Sequence, residues 1–109
     1  MSDAETILAK DITREKLVAE LKAIRPDVER HAVTHMALVG SRARRDNRPD
    51  SDIDLLIDVD PARKFSLVEI ARIMRAVEDR VGLPAHVMLR RSLSPELLEA
   101  ANTDQIRLF

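Results

Sequence analysis

The amino-acid sequence predicts a small α/β or α+β layer fold, with a mixed sheet of about three strands flanked by helices in the order α-β-α-β-α-β-α. Two observations lead to this prediction. Short apolar runs bounded by glycine, proline or aspartate indicate strands, and apolar residues three and four positions apart indicate helices. The chain has 109 residues, the length of one small domain. We therefore expect a single domain over residues 1–109, with its core at about residues 13–100.

The first half of the chain reads as a helix, a strand and a turn. The pattern of residues 1–11 indicates no clear secondary structure, with at most a short helix. Residues 13–30 have apolar side chains at helical spacing, and Pro26 is expected to end or kink this helix just before it. Residues 31–39 end in an apolar run that stops at a Gly-Ser pair, which predicts a strand. Residues 42–51 contain Asn, Pro and Asp, so we expect a loop, or a short helix followed by a loop.

The second half predicts two strands, each followed by a helix. Residues 52–59 alternate between aspartate and apolar side chains, as a strand with one polar face does. A helix then begins at the N-cap Ser66 and ends at the C-cap Gly82. Residues 85–89 form a short third strand. Ser94-Pro95 has the cap and first-turn residues of a last helix.

Composition limits the function classes. Apolar residues make up 45% of the chain but aromatic residues only 2%, so the core must be aliphatic. Charged residues make up 34% and nearly cancel to a net charge of −1, so we expect no direct nucleic-acid binding by the whole surface. The absence of cysteine excludes disulfides and thiolate zinc sites. The N-terminus is acidic and no long apolar run follows, so we expect no membrane association and a cytoplasmic location.

The residues that indicate chemistry lie between the first two strands. Gly40-Ser41 is followed, after ten residues, by Asp52-Ile53-Asp54. Glycine after a strand lets the backbone approach a phosphate closely, and the serine offers a hydroxyl and an N–H group to phosphate oxygens. Two aspartates at i and i+2 on a strand place their carboxylates on the same face. This arrangement is unfavourable without a cation, and Mg²⁺ suits such oxygen ligands.

The charge distribution of this segment is compatible with the same chemistry. Four arginines between residues 42 and 48 precede five aspartates between residues 50 and 60. Such a segment can hold a polyphosphate at its basic end and metal ions at its acidic end. A charge run by itself is more often a solvated, mutually neutralising loop. The prediction therefore rests on the glycine–serine and paired-aspartate motifs together.

The segment from Gly40-Ser41-Arg42-Ala43-Arg44 through Ser51-Asp52-Ile53-Asp54-Leu55-Leu56 resembles the signature of the polymerase-beta-like nucleotidyltransferase superfamily. It resembles more closely the small stand-alone minimal nucleotidyltransferases (MNT). The resemblance implies a metal–nucleotide site at the strand ends, with Mg²⁺ as cofactor and a two-metal arrangement as one option. The roles it implies are nucleotide phosphate binding by Gly40, Ser41, Arg42 and Arg44, and metal binding by Asp52 and Asp54.

The resemblance also implies a reaction and a partner. Such proteins transfer a nucleoside monophosphate, commonly AMP from ATP, to a hydroxyl or phosphate acceptor, and pyrophosphate leaves. Many are antitoxins of HEPN-domain toxins, and some adenylylate the toxin. An alternative is a catalytically impaired, nucleotide-binding antitoxin that neutralises its toxin by direct contact. The apolar tail at residues 105–109 could dock its side chains or pair with another chain, and a homo-oligomer stays open.

The sequence departs from the family pattern at two positions. Arg45 stands where the family often has glycine, which takes freedom from the loop but adds a basic side chain. His86 stands where the third strand usually offers another acid. Three interpretations of His86 stay open: a general base that works near pH 7, a replacement that removes catalysis but keeps nucleotide binding, or a strand residue without a role in the site.

Overall fold

The computed structural model describes residues 12–109, so the expected short helix at residues 1–11 lies outside the described residues. A four-stranded mixed sheet forms the centre, in the order β3-β2-β1-β4. The strands are β1 Val33–Val39, β2 Ile53–Val59, β3 Ala85–Leu89 and β4 Ile106–Arg107. The helices are α1 Arg14–Ala23, α2 Arg25–Glu29, α3 Gly40–Arg44, α4 Leu67–Val81 and α5 Pro95–Asp104, with a single 3₁₀ turn at Arg90–Ser92. Among residues 12–109, no helix is long and apolar enough to cross a membrane.

Proline and glycine set the helix boundaries where the sequence predicts them. The helix expected over residues 13–30 is divided into α1 and α2, and Pro26 lies in the first turn of α2, where its missing N–H costs nothing. Ser66 and Glu69 form a reciprocal capping box at the start of α4. Gly82 ends α4 in the left-handed conformation, with φ 80°.

The aliphatic core lies on one face of the sheet. Alternate residues of the three longer strands point to this face, and helices α1, α2 and α4 cover it. Representative buried side chains are Leu17, Leu21, Val28, Met36, Leu38, Leu55, Ile57, Ile73, Val77 and Val87. The opposite face, which we call the second face, carries the polar residues of the same strands. Helix α5 lies over part of the second face and has no fully buried residue.

The tail forms a fourth strand, one more than the three or so that the sequence predicts. β4 runs antiparallel to β1 and pairs with Ala37 and Leu38. Leu108 is buried, and its N–H donates to the carbonyl of Met36 at 2.9 Å. The tail therefore docks on its own chain. Its alternating apolar residues reach the core face, and its backbone makes hydrogen bonds to the N–H and C=O groups at the edge of β1. A strand of two residues gives almost no periodicity from which to predict it.

Candidate functional site

Gly40 is the point at which β1 meets the carboxylate of Asp54. Its φ is 75°, in the left-handed region that favours glycine. A Cβ on Gly40 would overlap Oδ2 of Asp54 and lie 3.2 Å from its Cβ and Cγ. The two residues come together because β1 and β2 are antiparallel, with Val39 paired to Asp54. Glycine is thus required here twice, for the backbone conformation and for the close approach.

Asp54 is a partly buried carboxylate beside a second one. It lies on the second face of β2 with 30% of its side chain exposed, while Asp52 lies exposed just before the strand. Burial raises the pKa of Asp54, and the nearby charge of Asp52 raises it further. His86 and Arg44 act in the opposite direction. The sequence prediction of two neighbouring carboxylates at this position is consistent with the geometry, and a bound cation would relieve their repulsion.

His86 lies next to Asp54 across the parallel pair β2–β3. The two residues are in register, and Nδ1 of His86 is 3.6 Å from Oδ1 of Asp54. The histidine side chain is 63% exposed, so most of the ring is open to solvent. The third strand therefore brings an imidazole, in place of an acid, to the paired carboxylates.

Arg42 is buried under the loop that leads to Asp52. It is 2% exposed, its Nε donates to the carbonyl of Ser51 at 2.9 Å, and its Nη2 donates to the carbonyl of Pro49 at 3.1 Å. Burial lowers the pKa of Arg42, while the charges of Asp50 and Asp52 raise it. The guanidinium thus fixes the loop before β2. Its predicted contact with nucleotide phosphates stays a prediction.

Ser41 and Arg44 belong to α3, the short helix directly after β1. Ser41 is partly buried, and its carbonyl accepts the N–H of Asp46 at 3.0 Å. Arg44 is engaged by two carboxylates: Nε donates to Asp46 at 3.0 Å, and Nη1 donates to Asp104 of α5 at 2.8 Å. These hydrogen bonds raise the pKa of Arg44. The first N–H groups of α3 have no acceptor within the helix.

A cleft of about 200 Å³ lies between the second face and α5. It has one polar wall and one apolar wall. The polar wall is formed by Gly40, Arg44, Asp54 and Asp104, and the apolar wall by Val39, Met88, Leu93, Leu97, Ala100 and Ala101. The sequence prediction found Gly40, Arg44 and Asp54 from their motifs but missed the residues that α5 supplies. The signal for these is the spacing of Leu97, Ala100 and Ala101, three and four residues apart on one face of α5.

A larger groove of about 600 Å³ lies at the other end of the second face, away from this site. It is lined by His35, Asp58 and Arg90, among others, and includes none of the predicted site residues. The guanidinium of Arg90 is occupied, because it donates to Asp58, to Asn102 and to Gln105. We regard the smaller cleft as the functional one because it contains the glycine–carboxylate contact.

The two carboxylates, Asp54 in the cleft and Asp52 just before β2, fit a hard divalent cation. Within residues 12–109, no three His, Cys, Asp or Glu side chains are arranged as a ready-made metal site. Mg²⁺ does not require one, since it is commonly bound by one or two carboxylates together with water and substrate phosphates. Asp52 and Asp54 supply two such carboxylates, and the partial burial of Asp54 favours occupation by a cation. These residues would hold the metal.

Nucleotide-transferring enzymes combine three features that this chain also has: a mixed sheet, a glycine at the end of β1 and carboxylates at β2. A family model described as a nucleotidyltransferase domain matches residues 14–106, and the chain belongs to this family. A curated protein of Methanocaldococcus jannaschii, named as a candidate protein adenylyltransferase, is 29% identical over 76 residues. That match covers 70% of this chain and 80% of the relative.

Solved structures confirm the nucleotidyltransferase fold and the resemblance to the minimal type. A structure described as a candidate minimal nucleotidyltransferase is 31% identical, with a TM-score of 0.75, and the match covers 88% of this chain and 96% of that one. A chain in a crystal structure of a toxin–antitoxin pair with AMP-PNP shares 19% sequence identity with this chain. The TM-score is 0.65, and the match covers 83% of this chain and 72% of that one. A tri-AMPylated HEPN toxin of Shewanella oneidensis in complex with its MNT antitoxin gives 14% identity and a TM-score of 0.65, over 89% of this chain and 72% of that one.

Proposed function

We propose that this nucleotidyltransferase transfers AMP from ATP to a hydroxyl group of a protein acceptor in a Mg²⁺-dependent reaction. The observation that carries the proposal is the contact of Gly40 with the partly buried carboxylate of Asp54, in a cleft that also contains Arg44. One wall of this cleft offers charges for phosphates and a metal, and the other offers apolar surface for a nucleoside. The similarity to a candidate protein adenylyltransferase supports AMP as the transferred group and a protein as the acceptor.

In this proposal, the backbone of Gly40 and the first turn of α3 at Ser41 bind phosphate oxygens, and Arg44, at the end of the same helix, assists them. Asp52 and Asp54 would hold Mg²⁺. The ion, when bound, would neutralise charge on the triphosphate and polarise the α-phosphorus. Positioning and electrostatic stabilisation supply most of the catalysis in such transfers.

The proton of the acceptor needs a base, and in this proposal His86 provides it. Its Nδ1 faces Oδ1 of Asp54 at 3.6 Å, so the carboxylate favours the tautomer with the proton on Nδ1. Nε2 then carries the free lone pair. The acceptor oxygen bonds to the α-phosphorus, the bond from that phosphorus to the bridging oxygen breaks, and pyrophosphate leaves. The hydroxyl proton passes to Nε2 of His86.

We further propose that the acceptor is a HEPN-domain toxin and that this chain is its antitoxin. The proposal is supported by solved structures of toxin–antitoxin pairs that share the fold, one of them with an AMPylated toxin. The second candidate function is neutralisation by contact alone, with an impaired nucleotide site. A specific observation favours it: the residue of β3 that is paired with Asp54 is His86 and not an acid.

Calorimetric titration with Mg-ATP tests the nucleotide site. We expect saturable binding by the native protein and at least about tenfold weaker binding by Asp54→Asn and Asp52→Asn, since each loses a metal-binding charge. Asp50→Asn is the matched control, because it removes an exposed carboxylate from the same loop. Equal affinity of Asp54→Asn and the native protein would show that the carboxylates do not form the site.

A further inference from the structure

Arg44 connects the two helices that border the cleft, α3 and α5. Its Nη1 donates to Oδ2 of Asp104 at 2.8 Å, and Asp104 is the last residue of α5. Its Nε donates to Asp46 at 3.0 Å. The Arg44–Asp104 ion pair therefore joins α3, which follows β1, to α5, which lies over the second face. The same arginine is the one that the phosphates of a bound nucleotide would require.

Asp104 lies inside the cleft rather than at its rim. Its side chain is 22% exposed, and it lines the cavity together with Gly40 and Asp54. A partly shielded ion pair is screened less by solvent than a fully exposed one. A polyphosphate that enters the cleft meets Asp104 as a second negative side chain besides Asp54, and this carboxylate already holds Nη1 of Arg44.

Helix α5 is held loosely enough for this contact to matter. None of its residues is fully buried, and Leu97 is 59% exposed. Its C-terminal end is held by polar contacts, Asp104 with Arg44 and Asn102 with Arg90, and by β4, which follows directly and pairs with β1. The loss of the contact with Arg44 therefore loosens only the last turn of α5, up to the point where the chain enters β4.

We propose that Asp104 competes with the nucleotide phosphates for Arg44, so that this carboxylate sets the affinity of the cleft for ATP and ATP binding frees the C-terminal end of α5. This inference rests on the proposed function, because it assumes that ATP occupies the cleft. Asp104 is a positioning residue in this scheme: it acts on the nucleotide through Arg44 and through its charge.

The test compares the Mg-ATP affinity of Asp104→Asn with that of the native protein. Asparagine keeps the size and an oxygen that can accept a hydrogen bond, but it removes the charge. We expect the Kd to fall by about threefold or more, as the loss of a competing partly exposed ion pair predicts. Glu99→Gln is the matched control: it removes an exposed acid from the same helix, outside the cleft, and should leave the Kd unchanged.

Hydrogen exchange gives a second readout that a merely structural role of Asp104 would not produce. In the native protein, we expect Mg-AMP-PNP to accelerate amide exchange in residues 101–104, the last turn of α5. In Asp104→Asn, exchange there should already be fast and should not respond to the nucleotide. Asp46→Asn is a second variant: it frees Arg44 but leaves Asp104 in place, so it should lower the Kd less than Asp104→Asn does.

The outcomes separate this inference from the proposed function. An unchanged or raised Kd in Asp104→Asn, with binding by the native protein and none by Asp54→Asn, overturns the role of Asp104 and leaves the proposed function standing. Slower exchange of residues 101–104 on nucleotide binding would also overturn it, because α5 would then be fixed by the ligand. The absence of binding by the native protein, with all variants folded, overturns both.

Discussion

At the scale of single residues, the site depends on a glycine whose lack of a side chain leaves room for a carboxylate. Gly40 leaves room for Oδ2 of Asp54, and any larger residue would push that carboxylate away. Asp54 is thereby held partly buried beside Asp52, where a charge is poorly solvated. Such an arrangement lowers the stability of the empty protein and favours a bound cation.

The raised pKa of Asp54 predicts a pH-dependent stability of the metal-free protein. Because its pKa is higher in the folded state than in the unfolded chain, the folded protein binds the proton more tightly. The stability from this proton is fully present below the unfolded pKa and is lost as pH rises through the folded pKa. At pH 7 the ionised carboxylate is therefore unfavourable, and Asp54→Asn should raise the Tm by about 2–4 °C in buffer with a chelator.

The same variant provides its own controls. The gain in Tm should shrink as the pH is lowered towards about 4, where the native carboxyl group is increasingly protonated. Addition of Mg²⁺ should stabilise the native protein and leave Asp54→Asn unchanged. A lower Tm for Asp54→Asn at pH 7 without metal would mean that the carboxylate is stabilised by its surroundings, contrary to the geometry described above.

Arg45 carries backbone strain at the position where the resemblance predicts glycine. Its φ is 66° and its ψ 25°, the left-handed conformation that an L side chain adopts at a cost of about 1 kcal/mol. It also pairs with Glu15, an exposed contact that contributes little. The comparison of Arg45→Gly with Arg45→Ala isolates the strain, because both variants lose the ion pair.

We expect Arg45→Gly to be more stable than Arg45→Ala by about 1 kcal/mol, since only glycine adopts this conformation without strain. Urea unfolding at equal m-values measures the difference. Equal stability of the two variants would show that the loop relaxes out of the left-handed conformation. Arg45 would then not be under strain.

At the scale of the elements, the sequence predicted those parts of the fold that have strong local signals. Ser66, Gly82 and the Pro26 break mark boundaries that the structure reproduces, because caps and prolines act within one turn. The first three strands were found from their apolar runs. β4 was missed as a strand, since its two residues are ordered by pairing with β1 and not by any local propensity.

The site was predictable to a similar extent. The motifs around Gly40 and Asp54 identify the polar wall except for Asp104, because their chemistry is encoded by residue type and short spacing. The positions of Arg42 and Asp104 could not be predicted, since they depend on which loop covers the arginine and on where α5 crosses the sheet. Arg42 illustrates the difference: the motif assigns it to the nucleotide, whereas in the structure its guanidinium holds the carbonyls of the preceding loop.

At the scale of the whole molecule, the sheet separates the residues of the main core from the residues of the candidate site. One face is closed by α1, α2 and α4 over an aliphatic core, and the second face carries the carboxylates, His86 and the cleft under α5. Substitution of a polar residue on the second face therefore removes few core contacts, although Val39 and Leu56 are buried there. Variants such as Asp54→Asn should keep the fold, so that they can distinguish a chemical role of the chain from a contact role.

The last prediction uses this separation to decide between transfer and contact. If the chain neutralises the proposed HEPN partner by AMP transfer, co-expression of the native chain or of Asp50→Asn with that toxin should restore growth, whereas Asp54→Asn should fail. Failure is expected although Asp54→Asn still co-purifies with the toxin, because the substitution lies inside the cleft. Mass spectrometry of the toxin should show added AMP only with the first two chains. Full restoration of growth by Asp54→Asn, without AMP on the toxin, would establish that the surface of this protein and not its cleft neutralises the partner.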